Sequence, residues 1–570
     1  MQRRIPWPTL AIWIFASTVA VLACCVSLQS ARLNGGYLPV GNDSFYHARR
    51  ILDTARDPSS FYEFDTHIHA PEGSLLTWPW GYDYAMGWMV RIGMKLGLAQ
   101  DPMSILAWIP VASVLLSVWL IILVARRLEL SYAPTILAAL CLALSPTTQL
   151  LHGVGQIDHH YVEFIFVLAT LAGGLQWLKH PDDTQAAVTL GAILGVAPAI
   201  HNGLFILQLP FLIALFAFWL QGRSMSRKAS AWFGATLVAT TLAILIPSLP
   251  FRQGAFDFYT LCWFHLYIAA CTSATVAFFS RVAMTRNAIF VLAGAAVALV
   301  LPILHQLSLA QGFLSGTNPR LNAIGEMIPP GRLLLQRGTM DIVTHIYSHL
   351  IWLTPLTVVL CLIYCWRDRA SYRLFLWISA LCGLALLSLQ LRMQYFGSFA
   401  LYLPWLVVVQ DYARIRTAAT KVLFLLTSMA LLLLYYPALR HQLLTPMPRA
   451  NDTEFDTTYP LLVTLHNECA KDPGIVLADA NAGHYIRYFT DCSVIADNFL
   501  LTPQHVQKVA ETDRMFGMSV AEFPAAAPQV KYVFVRPLNV TRAADGSLEY
   551  HAFNNAAARL PSDLLLSTEP

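Results

Sequence analysis

Apolar runs of about 17 to 25 residues, the length an α-helix needs to cross a bilayer, recur through this chain as far as position 439. They fall at 7–28, 103–125, 131–150, 161–178, 185–202, 203–221, 231–250, 259–280, 288–309, 346–366, 373–391, 396–412 and 421–439. Charged residues make up 12% of the 570 positions, against roughly 25% in an average soluble domain. The chain therefore reads as an α-helical polytopic membrane protein with about thirteen transmembrane helices.

The first run follows Arg3 and Arg4 and is longer than the apolar part of a cleavable signal, about 7 to 15 residues; no small-residue cleavage site follows it. It is read as a spanning helix that starts in the cytoplasm. Short cytoplasmic loops collect Lys and Arg, and the clusters at Arg126-Arg127, 223–228, 281–286, 367–373 and 414–421 all fall on loops that this orientation places inside. The 180–183 loop, with only Lys179 nearby, is the weak member. An odd number of spans sends the C-terminus outside. The net charge of +4 is accounted for by these clusters, so nucleic acid is excluded as a partner.

The expected organisation is a transmembrane domain over 1–439, with large outer loops at about 30–102 and 310–346, and an extracytoplasmic α/β domain over 440–570. In that last segment Gly474–Ala478, Ser493–Ala496 and Lys531–Val535 have the length and β-branched content of buried strands, while Pro503–Phe516 reads as a helix. Eight of the ten cysteines lie in or beside spans and read as apolar packing residues. Cys469 and Cys492 lie in the outer domain, where the compartment permits a disulfide that spacing alone does not establish.

Ionisable residues near membrane depth are costly and are usually kept for chemistry. The gap Gly155-Gln156-Ile157-Asp158-His159-His160 carries three metal-ligating side chains between two spans, and a second acidic segment, Gly41-Asn42-Asp43, follows the first span on the same side. Asp43, Asp158 and His160 form a carboxylate–imidazole set suited to Mn²⁺ or Mg²⁺. Glu326 is the acid at the Gly/Pro-framed centre of the long outer loop, and Arg392, at the outer end of a span, either snorkels to headgroups or contacts a phosphate. Arg320 and Arg332 are weaker phosphate contacts; His345 with His349, His201 and His305 read as interfacial histidines.

An acid after the first span, Gly155-x-x-Asp158-x-His160 after the third, Ala323-Ile324-Gly325-Glu326 in a long outer loop and an outer tail together resemble the catalytic subunit of the oligosaccharyltransferases, integral-membrane glycosyltransferases of the GT-C type. The resemblance implies that Asp43, Asp158 and His160 hold the divalent metal, that Glu326 closes on metal and acceptor, and that Arg392 meets the lipid phosphate. It also implies a polyprenyl-linked sugar donor, a protein or other extracytoplasmic acceptor, and a multi-pass protein of a bacterial inner membrane with its tail in the periplasm. Gly483-His484-Tyr485-Ile486-Arg487-Tyr488 is similar to the segment that leaves the family's WWDYG signature, but the signature is replaced by Asp479-Ala480-Asn481-Ala482-Gly483. The two tryptophans that read the hydroxyl of an Asn-x-Ser/Thr acceptor are gone, leaving Asp479 and Asn481 to bond an acceptor. Three other readings stay open: a related enzyme acting on a lipid or glycan acceptor, a polytopic transporter, and a non-catalytic carbohydrate-binding protein. A transporter should place its polar residues near mid-membrane, whereas here they gather at one surface.

Single cysteines placed at 43 and 158 should react with impermeant thiol reagents added from the outer side only; labelling of position 158 only from the cytoplasm would dismantle the orientation.

Overall fold

The computed structural model describes residues 6–309, 327–335, 340–413, 418–445, 447–518 and 523–536, with strands Val540–Arg542, Leu548–His551 and Ala557–Arg559 beyond them. Among the described residues eight helices are long and apolar enough to cross a membrane, from Trp7–Leu28 to His349–Arg367. Helices also lie over the remaining apolar runs, and several of these are broken toward one end of the bundle.

The breaks have local causes. The run at 131–150 is not one span: Tyr132–Leu144 and Pro146–His152 meet at 56°. Pro146 forces the residue before it out of the helical region, and Ser145 is extended at φ −63°, ψ 128°. The run at 346–366 is divided at Ser348, whose φ is +61°. The run at 396–412 begins as the short turns Gln394–Gly397 and Ser398–Leu401 before the helix Leu403–Ala413.

The broken helix Pro146–His152 delivers the chain into the 153–159 gap. Gly155 turns there at φ +79°. Its N–H donates to Ala107 O at 2.9 Å and its carbonyl accepts from Val40 N at 2.8 Å. A Cβ at this position would sit 2.9 Å from both Leu38 O and the Ala31 side chain. This clamp sets the gap against the segment leading to Gly41 and the helix Asn42–Arg56.

Outside the bundle, the strands Ile475–Leu477, Ser493–Val494 and Val530–Val533 form a parallel sheet with Ile475–Leu477 in the middle. The helices Phe455–Lys471, Ala480–Phe489 and Pro503–Phe516 accompany it, and Cys469 is disulfide-bonded to Cys492 with Cα atoms 5.6 Å apart. This unit has a small core of its own around Leu477, Ile495, Met515 and Phe516 and shares a second one. Phe45, Tyr46, Ile68 and Trp78 of the first outer segment pack with Phe455, Val476, Tyr485, Ile486 and Phe499. The backbone joins as well: Val494 N donates to His67 O at 2.8 Å and Ala70 N to Val494 O at 3.0 Å, extending the sheet at its Ser493–Val494 edge.

A buried ion pair lies across this junction. Arg487 Nε donates to Asp65 Oδ2 at 2.9 Å, and Tyr46 Oη donates to the same oxygen at 2.7 Å. Arg487→Met leaves a buried carboxylate without its cation and should cost about 3–5 kcal/mol. Arg49 pairs with the exposed Asp491, and Arg49→Met should cost no more than about 1 kcal/mol. Thermal unfolding of the two variants in detergent measures the difference.

Candidate functional site

A cavity of about 540 Å³ lies where the broken helix ends meet the outer unit, and Asp43, Asp158, His160, Arg392 and Asn481 all line it. Asp43 lies in the first turn of Asn42–Arg56, whose start is fixed by Gly41 at φ +90°. Asp158 hangs from the gap and His160 opens the spanning helix His160–Lys179. Arg392 sits in the turn Leu391–Met393; Leu391 N donates to Ile328 O at 3.1 Å and Leu391 O accepts from Tyr347 Oη at 2.6 Å. Asn481 comes from the outer unit, where its backbone carbonyl accepts from Asn42 Nδ2 at 2.7 Å.

Two expected residues are not in this group. Glu326 lies outside the described residues; Met327, next to it in sequence, lines the cavity. Asp479 does not line it. Its carboxylate caps Ala480–Phe489 by accepting from Asn481 N at 3.0 Å and is gripped by Arg536 Nε and Nη2, both at 3.1 Å. The carboxylate expected to bond an acceptor is engaged here as a helix cap and as the partner of Arg536. Arg332 is exposed and does not line the cavity, Arg320 lies outside the described residues, and His345 stacks on His441.

The polar cluster behind the cavity is larger than the sequence reading anticipates. His160 Nδ1 lies 2.7 Å from Glu163 Oε2, and His201 Nδ1 lies 2.7 Å from Glu163 Oε1. Glu163 is fully buried. With Nδ1 engaged, His160 presents Nε2 toward Asp158 Oδ2 at 3.4 Å, its ring stacked on Tyr395. His47, one turn after Asp43, has Nδ1 2.7 Å from Asp83 Oδ1, and Arg50 holds the other Asp83 oxygen at 2.9 Å. His201, read from the sequence as interfacial, lines the cavity and pairs with Glu163. His160-x-x-Glu163 and Asp43-x-x-x-His47 each place their pair on one helix face, a signal that was available in the spacing; nothing in sequence links Asp83 or His201 to them.

The residues fit a divalent cation. A metal-bound imidazole commonly gives its other nitrogen to a carboxylate, and Glu163 does this for His160. Asp158 is held well below the ordinary carboxylate range: burial alone would raise it, but the imidazoles of His160 and His159 outweigh that. Asp43 faces His484 Nδ1 at 3.4 Å; burial would push His484 down, and the carboxylates of Asp43 and Asp497 raise it instead.

No family model matches the chain. It shares its fold with solved archaeal oligosaccharyltransferases. The structure of the archaeal oligosaccharyltransferase AglB from Archaeoglobus fulgidus, in complex with an inhibitory peptide and a dolichol-phosphate, aligns over 98% of this chain and 77% of that one, with a TM-score of 0.76 and 17% identity. The Archaeoglobus fulgidus oligosaccharyltransferase tethered to an acceptor peptide containing the NVT sequon aligns over 97% and 74%, with a TM-score of 0.74 and 17% identity. The same organism's oligosaccharyltransferase in complex with Zn and sulfate aligns over 98% and 76%, with a TM-score of 0.69 and 16% identity. In sequence, dolichyl-phosphooligosaccharide-protein glycotransferase 1 of Archaeoglobus fulgidus is 28% identical over 256 residues, a match that spans 38% of this chain and 42% of that relative.

Glu163 pairs with His160 and does not itself line the cavity, so if the cavity holds a divalent cation, Glu163→Gln should weaken Mn²⁺ binding by roughly 10- to 100-fold. Electron paramagnetic resonance titration of free Mn²⁺ against the purified variant reads this directly.

Proposed function

We propose that the protein is a membrane glycosyltransferase that moves a sugar or oligosaccharide from a polyprenyl-phosphate or diphosphate carrier to an acceptor on the non-cytoplasmic face, in the manner of an oligosaccharyltransferase. The observation that carries the reading is the convergence of Asp43, Asp158, His160 and Arg392 on one cavity that also receives Asn481 from the outer unit. A phosphate-linked donor and an acceptor can meet there, one from the membrane side and one from outside.

Asp43, Asp158 and His160 would hold Mn²⁺ or Mg²⁺, which when bound supplies Lewis-acid neutralisation of charge on the departing phosphate. Arg392 adds a planar guanidinium matched to phosphate oxygens. Asp43 accepts a hydrogen bond from the acceptor's nitrogen or hydroxyl and orients it, and Glu326 is assigned the same side of the reaction. The donor's prenyl chain has an apolar berth in a pocket of about 190 Å³ lined by Val167, Ile206, Phe375, Leu386, Phe396 and Phe399, only a few residues along the chain from Arg392. The disulfide in the outer unit fits a periplasmic setting, since such bonds persist in oxidising compartments. Polar residues gathered at the helix ends favour this reading over a transporter.

The acceptor side departs from the family. Ala480 and Ala482 stand within the segment that replaces the aromatic signature, and of Asp479 and Asn481 only Asn481 lines the cavity. A pocket built to bond a hydroxyl rejects an acceptor that lacks it by roughly 10⁴; this one is assigned no such pocket. Purified protein incubated with a labelled polyprenyl-linked sugar should therefore glycosylate Asn-x-Thr and Asn-x-Ala peptides within about 10-fold of one another. Transfer should stop with a chelator and fall by at least about 10²-fold in Asp43→Ala. Strong preference for the Thr peptide would sink the acceptor assignment, and full activity of Asp43→Ala at limiting Mn²⁺ would sink the metal assignment.

A further inference from the structure

We propose that His47, Asp158 and His159 form a second cation site behind the cavity, one that takes a nitrogen-preferring divalent metal such as Zn²⁺. The three ligand atoms lie within 4.8 Å of one another. His159 Nδ1 is 3.1 Å from His47 Nε2 and 2.8 Å from Asp158 Oδ1, and His47 Nε2 is 3.8 Å from Asp158 Oδ1. A tetrahedral ion with bonds of about 2.0–2.1 Å separates its ligand atoms by about 3.3 Å. The three edges scatter around that value.

The orientation of the groups argues in the same direction. Asp158 Oδ1, enclosed and 2.8 Å away, and His47 Nε2, hydrogen-bonded at 3.1 Å, both converge on His159 Nδ1. A single ring proton serves one of these two contacts, whereas an ion held between the three atoms satisfies them all. His47 has its tautomer set from behind: Nδ1 faces Asp83, Asp83 is held by Arg50, and Nε2 turns inward. This carboxylate–imidazole arrangement orients metal-binding histidines, and the cluster contains it twice, as Asp83–His47 and as Glu163–His160.

Packing supplies the third argument. Asp83 and Glu163 are fully buried and Asp158 is half-buried. His159 has its ring centre 5.1 Å from that of His47, 4.6 Å from that of His160 and 4.9 Å from that of His201. A divalent ion on His47, Asp158 and His159 sets positive charge among these carboxylates. Asp158 then faces two ways, Oδ1 toward this site and Oδ2 toward His160 and the cavity. The donor set of two imidazoles and one carboxylate suits Zn²⁺ better than Mg²⁺, which prefers oxygen.

The test counts metal and does not use the transfer reaction, so it is independent of the glycosyltransferase reading. Full-length protein in detergent is stripped with chelator, loaded with Zn²⁺, desalted and measured by mass spectrometry for zinc content and by X-ray absorption for zinc ligands. Wild type should retain zinc with two imidazoles in its coordination shell, and Asp43→Ala, which cripples only the cavity site, should retain it too. His47→Gln and His159→Gln should each lose it, and Asp83→Asn should weaken its retention by roughly 10- to 100-fold. The absorption spectrum of the wild type stands even if a variant fails to fold. No retained zinc in the wild type, or zinc with a single imidazole that disappears in Asp43→Ala, overturns the proposal.

Discussion

A carboxylate buried at the end of a membrane helix cannot give its charge to water, so the side chains around it must answer for it. Glu163 is in that position, and the polar architecture near it follows. Its two oxygens fix His160 and His201, His160 then faces Asp158, and Asp158 reaches His159 and His47. Asp83 and Arg50 close the chain from the other side. Each member is oriented by the next, so the cavity inherits side chains whose ring faces and tautomers are already set. Preorganisation of this kind is what a site needs if it is to meet developing charge without rearranging.

The cluster draws on elements far apart in sequence, and the backbone is arranged to bring them together. Gly155 clamps the gap to the segment before Gly41, and the preceding helix bends by 56° ahead of Pro146. The outer unit in turn sits on the first outer segment through a shared apolar core and the Arg487–Asp65 pair. The cavity is thus bounded by two bodies of different character, one apolar and embedded, one polar and disulfide-closed.

Much of this was legible in the chain. Long apolar runs locate membrane helices because a span must hide its backbone, and Asp43, Asp158 and His160 stood out as ionisable groups where the sequence should avoid them. The short strands of the tail were visible in their β-branched content. What was hidden has physical reasons. Glu163 lies inside a segment that reads as an apolar span, and His201 lies at the end of another, so each looks like an ordinary helix-end residue until packing joins them. The cap made by Asp479 was hidden because its partner Arg536 is 57 positions away. The helix breaks at Ser145 and Ser348 fall within runs of unbroken hydrophobicity, and hydropathy does not register backbone angles.

The pairing of His67 and Ala70 with Val494 has a consequence for how the protein is made. The edge of the outer sheet is completed by a segment that lies more than 400 positions before its partner Val494. At about 5–20 residues per second, the two are made on the order of 20 to 80 s apart. The sheet edge, and with it the cavity that takes Asn481 from the outer unit, is therefore among the last parts of the molecule to be assembled.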